Sequence, residues 1–378
     1  MNKLAILIPT LDVGGAEKVV IKLANGLPDF GWEVDLLCMK GGTLSPLILP
    51  YVKVIEFNCN SYRSLLYQYS LYLKKRKPDI VLSTLYMTSI IIILGKIITR
   101  QKHVVVLGAH NSFVKKLTTP HNHKDRLILE PMAKFLFPRA TCMISVSKGL
   151  TKEMYETFKF KSGFIETIYN PVLTSTNIKP IKEDSYHKWL ENSNPKGYKT
   201  IISVGRLVKQ KAYDDLLNAF SIASAQKDLR LVIIGSGPNL SSLKDLAKEL
   251  CISHLVDFVG YKPNPMDYVC KADLFVCSSL WEGLQNVIIE SLASGCPVVS
   301  TDCPHGPREI LVSKEFGLLA PVSNPPELAI SILSALNIYK KDTFQTPSLE
   351  SHLTKFTTDT VLPRYSGLFY DLLSKEKV

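Results

Sequence analysis

The chain has 378 residues, 46% hydrophobic and 21% charged, the balance of a globular protein long enough for two domains. No apolar run reaches the 18 residues that would suggest a spanning helix; the longest, Ile90-Ile91-Ile92-Ile93-Leu94-Gly95-Lys96-Ile97-Ile98, is broken by a lysine. The net charge of +11 falls wholly in the first half, where residues 1–172 hold 23 Lys and Arg against 12 Asp and Glu, while residues 173–378 hold 22 of each.

The chain opens on Leu4-Ala5-Ile6-Leu7-Ile8-Pro9, which reads as a first strand rather than a signal peptide. Strands follow at 33–39, 53–57, 80–83, 103–107 and 142–146, then at 200–204, 230–234, 256–259, 274–277 and 297–300, with amphipathic segments between them. This alternation predicts two doubly wound parallel sheets, an α/β class with two Rossmann-like domains facing a cleft. The Pro-, Ser-, Asn- and Lys-rich stretch 170–199 reads as linker, with a short helix near Tyr186–Glu191. The tail from Leu353 to Ser374 reads as helix, kinked or broken at Pro363. Domain boundaries are expected at 1–172 and 173–359, with a C-terminal helix at about 360–378 packing back on the first domain. The eight cysteines form no C-x-x-C pair, which predicts buried free thiols in a reducing cytoplasm.

Six segments offer chemistry. After the first strand, Gly14-Gly15-Ala16-Glu17 opens a helix and lets backbone approach a ligand, although a Gly pair is not a dinucleotide fingerprint and fits a tight turn equally well. Arg206 and Lys211 follow the first strand of the second half, where they suit phosphate oxygens or form an exposed basic loop. Gly235-Ser236-Gly237-Pro238 brings bare backbone to the same edge. The segment from Ser279 to Val299 sets Glu282 at a loop-to-helix junction and Glu290 eight residues on, with the helix expected to start at Gly283-Leu284 beside Gln285. Its first N–H groups form an anion site, and Glu290 suits a diol such as ribose. Two glutamates alone would fit a capped, solvent-facing helix; three loops on one edge together with them favour a ligand. In the first half, His110 and Asn111 follow a strand at its carboxyl end, as do Ser147 and Lys148 with less to recommend them.

Together these segments resemble the family 4 retaining glycosyltransferases. The resemblance rests on Arg206 with Lys211, Gly235-Ser236-Gly237-Pro238, residues 256–260, the Glu282-to-Glu290 spacing and Ala293-Ser294-Gly295-Cys296-Pro297-Val298-Val299, and covers nearly the whole chain, including Gly14 to Glu17, His110-Asn111 and Asn170-Pro171. It implies a GT-B architecture, a nucleotide-sugar donor held mainly by the second domain, expected to be UDP-linked, and no required metal. It further implies that Arg206 and Lys211 hold the diphosphate, Glu290 the ribose and Glu282 the donor sugar, and that His110 contacts that sugar from the other domain. Gly15, Gly237, Gly283, Leu284 and Gln285 fall at nucleotide-sugar positions, and Gly14, Glu17 and Arg308 at acceptor-side loops. Where the family often has a Gly-Gly pair, this chain reads Asp302-Cys303-Pro304-His305-Gly306-Pro307-Arg308-Glu309, so donor identity is not inherited.

Glycosyl–phosphate cleavage puts negative charge on the leaving diphosphate, which Arg206, Lys211 and a helix N-terminus would stabilise without an Asp-x-Asp metal motif. Rivals are a nucleotide-sugar epimerase or hydrolase of the same fold, a decayed non-catalytic subunit, and a basic nucleic-acid-binding protein; the last lacks aromatic-interleaved basic motifs, so no nucleic-acid partner is expected. The acceptor is expected to be lipid-linked or a glycan in cell-surface polysaccharide assembly. Segment 61–77 (SYRSLLYQYSLYLKKRK) has five basic and no acidic residues, which predicts a helix docking the first domain on the anionic inner-membrane surface, against the plainer reading of a core helix with a solvated basic end.

Overall fold

The computed structural model describes residues 1–118, 123–174, 187–190 and 197–376. They form two compact units: Met1–Val172 with Lys355–Val378, and Leu173–Thr354.

The first unit is a seven-stranded sheet of β1 (Asn2–Thr10), β2 (Trp32–Lys40), β3 (Lys53–Glu56), β4 (Ile80–Ser83), β5 (Val104–Ala109), β6 (Cys142–Ser145) and β7 (Ile165–Thr167), in the order β3-β2-β1-β4-β5-β6-β7. Every pairing is parallel. Helices cover both faces of such a sheet, so its strands are continuous apolar runs; Leu4 to Ile8 are wholly buried. Helices Tyr62–Arg76 and Tyr86–Thr99 pack so closely that a Cβ on Gly95 would lie 2.4 Å from the Tyr69 ring. The last helix, Thr358–Glu376, adds Val361, Leu362, Tyr365, Phe369 and Leu372 to the first unit's core, and Ser366 Oγ accepts a 3.0 Å bond from Trp32 Nε1.

The second unit is a six-stranded sheet of β8 (Lys199–Val204), β9 (Leu229–Ile234), β10 (Val256–Gly260), β11 (Leu274–Cys277), β12 (Val298–Thr301) and β13 (Leu318–Ala320), in the order β10-β9-β8-β11-β12-β13 and again all parallel. In both sheets the strand order reverses beside the first strand, between β1 and β4 and between β8 and β11. Loops leaving the carboxyl ends of such a pair diverge to opposite faces and open a crevice for ligand.

Several expectations need correction. Edge strands β7 and β13 were not anticipated, because three residues are too few to show periodicity. β5 runs on through Gly108-Ala109, so His110 follows the strand directly. The helix expected at Gly283-Leu284 starts at Asn286 with Gln285 as its N-cap, which puts Glu290 at its fifth residue. The final helix continues through Pro363, its flanks held by the buried Leu362 and Tyr365. Of the short helix near Tyr186–Glu191, both end residues lie outside the described residues; 187–190 form a turn closed by Leu190 N to His187 O at 2.7 Å.

Candidate active site

The crevice of the second sheet is built from the loops after β8 and β11. Main-chain and side-chain bonds knit the two together. Leu280 N donates to Gln210 O at 2.8 Å, Gln210 Nε2 to Trp281 O at 2.8 Å, and Ser278 Oγ to Lys211 O at 2.7 Å. Thr301 Oγ1, at the end of β12, donates to Ser279 O at 2.6 Å and so fixes that loop from its other side.

At the centre of this frame Lys211 Nζ forms an ion pair with Glu282 Oε1. Side-chain exposure is only 21% for the lysine and 11% for the glutamate, so each charge depends on the other. Glu282 also accepts from Ser279 Oγ at 2.8 Å and from Gln210 Nε2 at 3.3 Å. Burial pulls the Lys211 ammonium towards neutrality, but the adjoining Glu282 carboxylate outweighs it and holds the lysine above its ordinary range. Arg206, two residues after β8, is exposed, and no described residue pairs with it. One cation is thus committed and a second is free, at the topological switch point.

The Gly235–Pro238 loop packs against this frame by backbone alone. Leu207 N donates to Ser236 O at 2.9 Å and Asn239 N to Leu207 O at 3.1 Å. A Cβ on Gly235, where φ is +148°, would sit 1.9 Å from Gly205 O, and one on Gly237 would sit 2.4 Å from Leu207 O. Larger residues there would displace the segment that carries Arg206. Gly283, Leu284 and Gln285 are buried between Glu282 and the helix, and Glu290 is partly exposed on that helix. Gln285 Nε2 donates to Cys303 Sγ at 3.1 Å and Gln285 Oε1 packs against Gly306. Arg308, on the short helix Pro307–Ile310, is exposed but ion-paired to Asp302 in the loop after β12.

In the first unit, Gly14 caps helix Gly15–Gly26, and the Glu17 carboxylate folds back over it; a Cβ on Gly14 would meet Glu17 Oε2 at 2.0 Å. His110 turns its Nε2 back over Gly108, while its Nδ1 is buried with no hydrogen-bond partner among the described residues. Burial lowers its pKa to about 4, so the ring is neutral near pH 7. Its loop is clamped by Tyr86 Oη to Asn111 O and by Glu153, which accepts from Ser112 Oγ at 2.6 Å and Phe113 N at 3.0 Å.

The structure therefore joins Lys211 to Glu282, and leaves His110, Gly14, Gly15 and Glu17 in the other unit. Sequence reasoning missed Gln210, Ser279, Thr301 and Glu153. The serine pair directly after a strand was a signal; for Gln210 and Glu153 no local pattern exists.

A buried, cation-bearing corner at the reversal of a doubly wound sheet suits an enzyme that works on an anionic leaving group. Residues 13–176 match Glycosyltransferase Family 4, and residues 187–344 match Glycosyl transferases group 1. Over 338 residues the chain is 30% identical to the N-acetylgalactosamine-N,N'-diacetylbacillosaminyl-diphospho-undecaprenol 4-alpha-N-acetylgalactosaminyltransferase of Campylobacter jejuni, covering 86% of this chain and 87% of that one. In fold it matches the sucrose-phosphate synthase of Thermosynechococcus elongatus, with a TM-score of 0.82, 18% identity and coverage of 99% and 100%. It also matches Anabaena HepE in complex with UDP-glucose, with a TM-score of 0.79, 17% identity and 99% of each chain covered. The chain belongs to the GT-B glycosyltransferases of the family 4 type.

Proposed function

We propose that this glycosyltransferase moves a hexose or N-acetylhexosamine from a UDP-sugar to a lipid-linked or glycan acceptor with retention of configuration. The observation that carries the reading is the pairing of Lys211 with Glu282 beside the unpaired Arg206 at the β8/β11 reversal. Two cations there suit a diphosphate, and a carboxylate beside them suits a sugar hydroxyl. Helix Asn286–Ala293 directs its first N–H groups to the same edge, and a carboxylate at its fifth residue, Glu290, suits a ribose diol. A solved relative in fold holds UDP-glucose, and the curated relative is named for a diphospho-undecaprenol acceptor, which supports the two substrate classes.

In the proposed step the bond from sugar C1 to the diphosphate oxygen breaks, and the acceptor oxygen bonds C1 on the same face. The acceptor proton passes to the departing diphosphate. Arg206 and Lys211 neutralise the charge that develops there. The test is a screen of nucleotide sugars for nucleotide release, with and without a polyprenyl-diphosphate-linked sugar, repeated in excess chelator. Acceptor-dependent release that survives chelation is expected. Release without acceptor would favour a hydrolase, and chelator-sensitive transfer restored by magnesium would overturn the neutralising role of the cations.

We further propose that the first unit docks on anionic membrane at the cytoplasmic face. Helix Tyr62–Arg76 buries Leu65, Tyr69, Tyr72 and Leu73 in the unit and leaves Tyr67 and Leu71 exposed, 64% and 45%, with Lys74, Lys75 and Lys77 solvated at its end. Arg76 does not belong to that basic group: it donates to both oxygens of Asp35 at 2.9 Å and is ion-paired to Glu33. The neighbouring helix ends with Ile97 and Ile98 exposed, followed by the solvated Arg100 and Lys102. Each basic residue near an anionic surface contributes about 1 kcal/mol. Co-sedimentation with phosphatidylglycerol vesicles is expected to fall with salt and to drop when Lys74, Lys75 and Lys77 are neutralised. Equal binding to phosphatidylcholine vesicles, or none to either, would refute it.

A further inference from the structure

Lys211 and Glu282 are 71 residues apart and share a buried ion pair, yet the proposed function needs Lys211 on a diphosphate. An anion that draws the lysine away takes from Glu282 its counter-charge. A carboxylate 11% exposed would then be costly unless other donors stay on it. Two such donors are present, both neutral. Ser279 Oγ lies 2.8 Å from Oε1, the oxygen that also holds Lys211, and Gln210 Nε2 lies 3.3 Å from Oε2. Both are anchored by bonds that do not involve the lysine head. Ser279 is wholly buried and its carbonyl is held by Thr301 Oγ1, while Gln210 is held by its bonds to Leu280 and Trp281.

We propose that Glu282 is an internal competitor for Lys211, displaced by the nucleoside diphosphate, and that Ser279 and Gln210 are positioning residues that keep the carboxylate in place once the lysine has left it. The inference rests on the proposed function, because it requires a diphosphate at Lys211. In the free enzyme the carboxylate occupies the cation; in the complex the diphosphate does, and Glu282 faces the donor sugar on its two neutral donors. The exchange also favours product departure, since Glu282 reclaims Lys211 as the diphosphate leaves.

Three consequences separate this from a structural role. Glu282→Gln removes the competitor, so UDP should bind about tenfold more tightly to a variant poor in transfer. Ser279→Ala removes a donor that matters most once the lysine has gone, so UDP should bind about threefold to tenfold more weakly. In the Glu282→Gln background there is no carboxylate charge to hold, and Ser279→Ala should leave UDP affinity unchanged.

The experiment is calorimetric titration of the full chain with UDP for wild type, both single variants and the double variant. If wild type binds neither UDP nor any other nucleoside diphosphate, the proposed function fails. If wild type binds but Glu282→Gln binds equally or more weakly, or Ser279→Ala has the same effect in both backgrounds, the internal-competitor inference fails and the function stands. Should Glu282→Gln not fold, Ser279→Ala and Gln210→Met in the wild-type background carry the test: unchanged UDP affinity in both overturns the positioning role.

Discussion

Replacing Arg206 or Lys211 with alanine is expected to lower kcat/KM for transfer by about two orders of magnitude or more, the usual cost of removing a donor aimed at charge that develops in the transition state. The two variants should part company in stability. Arg206 is exposed with no described partner, so Arg206→Ala should melt like wild type. Lys211→Ala takes the counter-charge from Glu282 and leaves it only the neutral donors Ser279 and Gln210, so this variant should melt below wild type. Glu290→Ala offers the contrast: the proposed ribose contact would be present in ground and transition states alike, so the variant should weaken nucleotide binding more than it slows turnover. Near-wild-type transfer by both Arg206→Ala and Lys211→Ala, with folded protein, would remove the diphosphate site.

The second large effect concerns acid. His103, next to β5, is 2% exposed. Burial chiefly, with the nearby Lys96 ammonium, lowers its pKa from 6.5 to about 4. The folded state therefore resists protonation that the unfolded chain accepts. Stability from the neutral ring is complete above pH 6.5 and is lost as pH falls towards 4, by about 2 kcal/mol between pH 7 and pH 5. Hydrogen exchange of the β5 amides reads this locally, without treating a two-unit chain as two-state. His103→Leu should remove about that much of the pH dependence; an unchanged slope would show that the ring does not stay neutral.

How much of this the sequence discloses follows from the range of each interaction. Central parallel strands announce themselves because both faces are buried, as with Leu4 to Ile8 and Leu274 to Cys277. Edge strands of three residues, Ile165–Thr167 and Leu318–Ala320, carry too little pattern. The helix after Glu282 starts late because Gln285, not Glu282 or Gly283, occupies the N-cap. Long-range pairing is the least legible. Nothing near Arg76 in the chain points to Glu33 and Asp35, and so a guanidinium bound in the sheet's flank reads as part of a solvated basic run. The same holds for Lys211 and Glu282: each was singled out, but their mutual commitment depends on β8 and β11 lying side by side.

The return of helix Thr358–Glu376 to the first unit bears on how the protein is made. The chain leaves that unit after Val172 and re-enters it at Lys355. During synthesis the first sheet is complete early, but Trp32 lacks the Phe369 ring at 5.6 Å and the Ser366 hydroxyl until the second unit has been translated. The later unit can therefore finish folding before the earlier one. Throughout that interval the nascent first unit exposes the apolar groove meant for Val361, Leu362, Tyr365 and Phe369, a surface on which a chaperone could act.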